Sequence, residues 1–148
     1  MTREHDVTEE QLWACPRCGR RFTLPNLWHS CVTTTVDEHL SRVPEAVGHL
    51  YRGFEAMVRA CGPVEVVPVR TYISFMVRIR FAFAIPQQRA LRLRLEGPRA
   101  IKPPRIVRVE RYRKIAGSYL RVVGPEGLDD ELAAWVAESY AHGAAGRE

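Results

Sequence analysis

Four residues near the start of the chain have the types and spacing of a metal site. Cys15-Pro16-Arg17-Cys18-Gly19 places two cysteines two residues apart, close enough for both thiolates to bind one ion. Gly19 permits the positive φ that so tight a knuckle demands. In His29-Ser30-Cys31 the first and third residues project to the same side of an extended segment. Three thiolates and one imidazole can therefore close a tetrahedron around zinc, and a closed tetrahedron is structural rather than catalytic. The His-x-Cys spacing is too short for the two-cysteine, two-histidine finger that reads DNA. Two rivals for His29 stay open: Cys61 would give an all-cysteine site, and His39 could replace the imidazole. A redox dithiol is disfavoured, because no strand–helix–strand unit surrounds Cys15. Between the ligand pairs, Phe22, Leu24, Leu27 and Trp28 can form a miniature core.

The second chemical signal is arginine. The formal net charge is +5, yet from Arg70 to Arg121 there are 14 basic residues against two acids, Glu96 and Glu110. The rest of the chain is acidic. Such an imbalance points to an anionic partner for the basic stretch. Lysine occurs only at Lys102 and Lys114, so arginine also serves as the general surface cation, and a solvated face with no ligand at all is the rival reading.

Nothing else reads as a catalytic constellation. No nucleophile–base pair and no glycine-rich phosphate loop is present. His5, His39, His49 and His142 fall on a leader, on helices and on a tail, and read as surface histidines. The chain reads more as a binding protein than as an enzyme.

The elements that must position these residues follow from length and periodicity. A chain of 148 residues, 46% hydrophobic, can bury one core and not two. No apolar run reaches the roughly 20 residues of a membrane span. The polar, acidic leader fits neither a signal nor a transit peptide, so a cytoplasmic location is the expectation.

Residues 1–35 are expected to form a zinc-binding knuckle and residues 36–148 an α+β domain. Thr35 and Glu38 have capping-box spacing, which predicts a short turn of helix over Val36–Ser41. Pro44 then opens a main helix to about Ala60, with Val47, Leu50, Tyr51, Phe54, Met57 and Val58 on one stripe. Gly62-Pro63 ends it.

Strands are expected over Val64–Val67, Ile73–Phe83 (one strand or two joined), Leu91–Glu96, Ile106–Glu110 and Ala116–Val123. In Ile73–Phe83 the odd positions are apolar, the period of a half-buried strand. Pairing Phe83 with Leu91 across the Pro86-Gln87-Gln88 turn would set Arg80 against Arg94 and Arg78 against Glu96. Asp129 caps a last helix, whose stripe is Leu132, Trp135, Val136 and Tyr140. Short connections argue for a mostly antiparallel sheet of five or six strands, with a long helix before it and another after it.

These residues resemble a known family. Trp13-x-Cys15-Pro16-x-Cys18-Gly19-Arg20-x-Phe22, followed by Asn26-x-x-His29-Ser30-Cys31, is similar to an N-terminal extension found on bacterial proteins of the domain of unknown function family 5655. Cys61-Gly62-Pro63-Val64, Arg70-Thr71-x-Ile73-x-Phe75-x-x-Arg78-x-Arg80-Phe81 and Leu128-Asp129-Asp130-Glu131-Leu132-x-x-Trp135-Val136-x-Glu138-Ser139-Tyr140 resemble its body. The resemblance implies a small α+β protein and supplies no activity.

Three functions compete. A binding module would grip the phosphates of a nucleic acid or another polyanion with Arg70, Arg78, Arg80, Arg92, Arg94 and Arg121, and with Arg108. In it, Tyr72, Tyr112 and Tyr119 would stack on bases. A small-anion protein or enzyme would use Arg70, Arg80 and Arg121, with Asp37 or Glu110 as acid or base. An adaptor would dock a protein partner through the zinc unit. A membrane partner is not expected.

Overall fold

The computed structural model of the protein describes residues 13–16, 21–22, 34–102 and 104–146. The chain divides into two compact units, Met1–Thr33 and Thr34–Glu148.

In the first unit, β1 (Trp13–Ala14) pairs antiparallel with β2 (Arg21–Phe22), Trp13 opposite Phe22 and Ala14 opposite Arg21. Cys15 follows β1 directly and is buried. Cys18, His29 and Cys31 lie outside the described residues.

The second unit is α+β. Helix α1 (Val36–Ser41) starts at a reciprocal capping box: Glu38 N–H donates to Thr35 Oγ1 at 3.1 Å, and Thr35 N–H to Glu38 Oε1 at 3.0 Å. Helix α2 (Glu45–Arg59) enters from Pro44. It buries Val47, Leu50, Tyr51, Phe54 and Val58 and leaves its charged side in water. Strands β3 (Glu65–Pro68), β4 (Ile73–Met76), β5 (Arg80–Pro86), β6 (Leu91–Gly97), β7 (Arg108–Tyr112) and β8 (Ile115–Val122) follow. Helix α3 (Asp130–Ala145) is capped by Asp129, whose carboxylate accepts from Leu132 N–H at 3.0 Å.

All six strands join one antiparallel sheet in the order β3-β4-β5-β6-β8-β7. The long connection after β6 carries the chain past β8 to the sheet edge, where β7 pairs back. Helices α2 and α3 pack on one face, here called inner. Ile73, Phe75, Ala82, Ala84, Leu91, Leu93, Leu95, Leu120 and Val122 meet Leu50, Phe54, Val58, Leu132 and Val136 there in one core. Phe54 stands edge-on to Phe75 at 5.3 Å. Burying each such large apolar side chain contributes about 1.5–3 kcal/mol.

The expected register of the central hairpin is wrong. Phe83 lies opposite Arg94 and Pro86 opposite Leu91, so Phe83 shares the outer face with arginines. Two local events explain this. The segment from Ile73 to Phe83 is not one strand but two, folded back at Val77–Ile79. The register then shifts between Phe75 and Met76, which leaves Phe81 as an extra residue. Phe81 and Ala82 therefore both turn inward, and Phe81 packs on Tyr140 and against Gly143, where a Cβ would lie 2.5 Å from its ring.

The candidate binding face

The outer face is built from three rows of residues that cross the strands. The first runs Ile85, Arg92, Arg121. The second runs Ser74, Phe83, Arg94, Tyr119, Arg108. The third runs Glu96, Gly117, Glu110, with Arg80 beside Glu96. Alternation along each strand sends these side chains away from the helices.

An ion-pair ladder crosses the lower rows. Arg80 Nη2 is 2.9 Å from Glu96 Oε2, its Nε donates to Oε1 at 3.3 Å, and its Nη1 donates to the Tyr72 hydroxyl at 3.2 Å. Arg94 Nε is 3.0 Å from the same Glu96 oxygen, close enough for an ion pair although its N–H is not aligned for a hydrogen bond. Arg94 Nη1 pairs with Glu110 and donates to the Tyr119 hydroxyl at 3.0 Å. Tyr119 O–H donates to Glu110 at 3.0 Å, and Arg108 Nη2 closes the far end on Glu110 at 2.6 Å. The charges thus alternate: Arg80, Glu96, Arg94, Glu110, Arg108.

Two features make the ladder possible. The Glu96 side chain is only 7% exposed, so its charge is tolerable only between two guanidinium groups. Gly117 opens the floor: a Cβ there would sit 2.3 Å from Arg94 Cζ. The Tyr119 hydrogen bond, followed by Arg108 and Arg94, holds the Glu110 carboxyl below its ordinary range. Burial works against the charge of Arg94, but the bonds and charges of Tyr119, Glu96 and Glu110 outweigh it and raise the pKa.

Under the guanidinium groups lie rings. Tyr72 stacks on Phe83 at 4.5 Å, and Phe83 meets Tyr119 edge-on at 6.2 Å. Arg80 and Arg94 lie over Phe83 at 5.2 and 5.8 Å; Arg92, Arg94 and Arg108 lie over Tyr119 at 4.5, 5.4 and 5.6 Å. Phe83 and Tyr119 are each 7% exposed, so neither offers a face to a base; Tyr112, 66% exposed, does.

Of the six arginines expected to bind an anion, the sheet brings Arg80, Arg92, Arg94 and Arg121 onto one face. Arg80 and Arg94 are already neutralised. Arg92 and Arg121 stand directly opposite each other on β6 and β8, and no carboxylate among the described residues pairs with either. Arg70 is exposed between β3 and β4, and Arg78 sits in the β4–β5 turn at the end of α3, its Nη1 3.5 Å from the Ala145 carbonyl. Arg78 therefore serves the helix terminus and not the face. Gly117 and Phe83, which shape the face, carried no signal in a linear reading.

The rival metal ligands are also placed. His39 is not a surface histidine as expected: it is buried, and its Nε2 lies 2.6 Å from the Val69 carbonyl oxygen. A carbonyl only accepts, so that nitrogen carries the proton. Cys61 is half-buried, and burial pushes its thiol pKa up, away from the thiolate that binds metal. Among the described residues no group of three or more His, Cys, Asp and Glu side chains could hold a metal ion. A cleft of about 360 Å³ between α3 and the loop after β6 lies on the helix side, lined by Leu95, Pro98, Ile101, Trp135 and Ser139 among others; none of the six arginines lines it. No helix among the described residues is long and apolar enough to cross a membrane.

Fold and face together define a small α+β domain whose antiparallel sheet is covered by helices on one side and bears arginines on the other. The chain belongs to the family described as a domain of unknown function (DUF5655), whose model matches residues 36–142, from the first residue of α1 to near the end of α3. No curated protein and no solved structure matches it.

Proposed function

We propose that this is a zinc-containing binding protein whose outer sheet face holds the phosphates of a nucleic acid. The observation that carries the reading is the Arg92–Arg121 pair. Like charges directly opposite across a sheet repel, and, although the Tyr119 ring lies under Arg92, no carboxylate among the described residues neutralises either. A phosphate between them would do so, with the guanidinium of Arg108 one row away.

Because Phe83 and Tyr119 lie beneath guanidinium groups, the grip of Arg92 and Arg121 is on the backbone and indifferent to sequence, and a stacked base would meet Tyr112 instead. The test is fluorescence anisotropy with single- and double-stranded oligonucleotides across a salt series. Affinity is expected to fall with salt, and Arg92→Ala and Arg121→Ala are each expected to reduce the slope by about 0.7–0.9. Absence of binding, or binding with no salt dependence, sinks the reading. Binding of inorganic phosphate without oligonucleotide binding would move it to a small-anion site.

The zinc part rests on the donor set Cys15, Cys18, His29 and Cys31, and on the burial of Cys15 at the turn after β1. One zinc per chain by elemental analysis, lost in Cys15→Ser, is the expected result. A metal-free wild-type protein excludes it.

A further inference from the structure

The two edges of the sheet differ. Edge β3 is four residues long, ends in Pro68, and lies beside Val69, whose carbonyl receives His39. Proline at an edge blocks further pairing. Edge β7 has no such guard. Its hairpin to β8 turns over two residues, Arg113 and Lys114, with Arg113 at φ 57°. A two-residue turn makes Tyr112 and Ile115 a hydrogen-bonded pair. By alternation, Arg108, Glu110 and Tyr112 spend their amides on β8, while Val109 and Arg111 present N–H and C=O to the open edge. Among the described residues nothing pairs with those groups.

The side chains along this edge are apolar and basic. Val107 and Val109 are 62% and 37% exposed. Arg111, Arg113 and Lys114 are exposed and have no acid partner among the described residues; Glu110 is already held by Arg94 and Arg108. A second copy of this chain, pairing β7 with β7, would set these cations against one another. An acidic strand would not.

We infer that β7 accepts an extended acidic segment of a partner protein as a seventh strand. The main chain of Val109 and Arg111 supplies the ladder bonds, and Arg111, Arg113 and Lys114 select for acidic side chains. The inference is independent of the phosphate reading, which uses Arg92, Arg121 and the outward side chain of Arg108 and not the open main-chain edge of β7.

The test uses the full chain and a short peptide alternating Glu and Val. Three results are expected. The peptide binds, and it slows exchange of the Val109 and Arg111 amide hydrogens. The same peptide N-methylated at alternate residues binds at least about tenfold more weakly. Val109→Pro, which keeps every charge and every bond to β8, weakens binding, as does the double reversal Arg111→Glu with Lys114→Glu. Equal binding of the N-methylated peptide, or unchanged exchange at Val109 and Arg111, overturns the inference. So does capture of an oligonucleotide by this hairpin, lost in the double reversal, while the peptide fails to bind.

Discussion

On the inner face of the sheet, Phe75, Leu93 and Leu120 are fully buried in an apolar cluster under α2 and α3. On the outer face Glu96 is nearly as buried, yet its neighbours are two guanidinium groups. Both faces exclude water from β6, but the inner one gains free energy from area alone, and the outer one adds to the buried rings of Phe83 and Tyr119 a set of charges that must be paired. A buried charge is costly the moment one partner leaves. The two faces therefore respond differently to mutation, salt and acid.

The largest effect belongs to the inner face. Leu93→Ala removes a fully buried side chain and leaves a cavity, at a cost of about 2–5 kcal/mol in chemical denaturation. The loss should be nearly independent of salt. A salt-dependent loss would break the distinction between the faces.

Next comes the ladder. Glu96→Ala takes from the more open Arg80 its carboxylate partner among the described residues, and leaves Arg94, 13% exposed, with Glu110 alone. A loss of about 3 kcal/mol is expected, discounted from the fully buried case because water reaches Arg80. Combined with Arg94→Ala, the cost should fall well short of the sum, since both act on one network. Strict additivity would show that the ladder's contacts are not energetically coupled.

Gly117→Ala separates geometry from charge. The new Cβ meets the Arg94 guanidinium, which must leave Glu110 and Tyr119, at about 1–2 kcal/mol. In an Arg94→Ala background the same substitution should cost nothing or stabilise, because glycine weakens a strand interior. Equal cost in both backgrounds would mean that Gly117 is needed for its backbone alone.

Acid should weaken the outer face at Glu110 and the start of α3 at Asp129, while the apolar core between them carries no group that titrates in acid. Glu110 titrates below its ordinary range in the folded protein, held by Tyr119, Arg108 and Arg94, and so does Asp129, held by Leu132 N–H and Arg105. For a depressed carboxyl the stability is present above the unfolded pKa, about 4. It is lost as pH falls through the folded value. The denaturation midpoint should drop below about pH 4 in wild type and less steeply in Glu110→Gln.

Much of this was legible in the chain, for local reasons. The caps at Thr35 and Asp129, the stripe of α2 and a mostly antiparallel sheet of five or six strands, six in the structure, rest on neighbours within a turn or a strand. The register was not. A single extra residue at Phe81 reverses which neighbours face inward, and period-two counting cannot see it. Phe83 misled for a second reason: it is buried, as an apolar residue should be, but under arginines. The expected clash of Arg80 with Arg94 disappears once Glu96, not Arg78's neighbour but Arg80's, comes between them. Four of the arginines named for a binding face do share one, because strand alternation alone puts Arg92, Arg94 and Arg121 on the same side once β6 meets β8.

The smallest expected effect sharpens the comparison most. Arg121 is exposed, makes no ion pair among the described residues and faces Arg92. Arg92 is a poorer probe, since its guanidinium also lies 4.5 Å over the Tyr119 ring and its removal would forfeit that contact. Arg121→Ala should leave stability unchanged or raise it by about 0.2–0.5 kcal/mol as repulsion is relieved. Added salt should erase the gain, because the two charges are solvated and screened. A thermal melt at low and high salt decides it. If Arg121→Ala instead destabilises by more than about 1 kcal/mol, the cation is part of the fold, and the outer face holds no charge in reserve for a ligand.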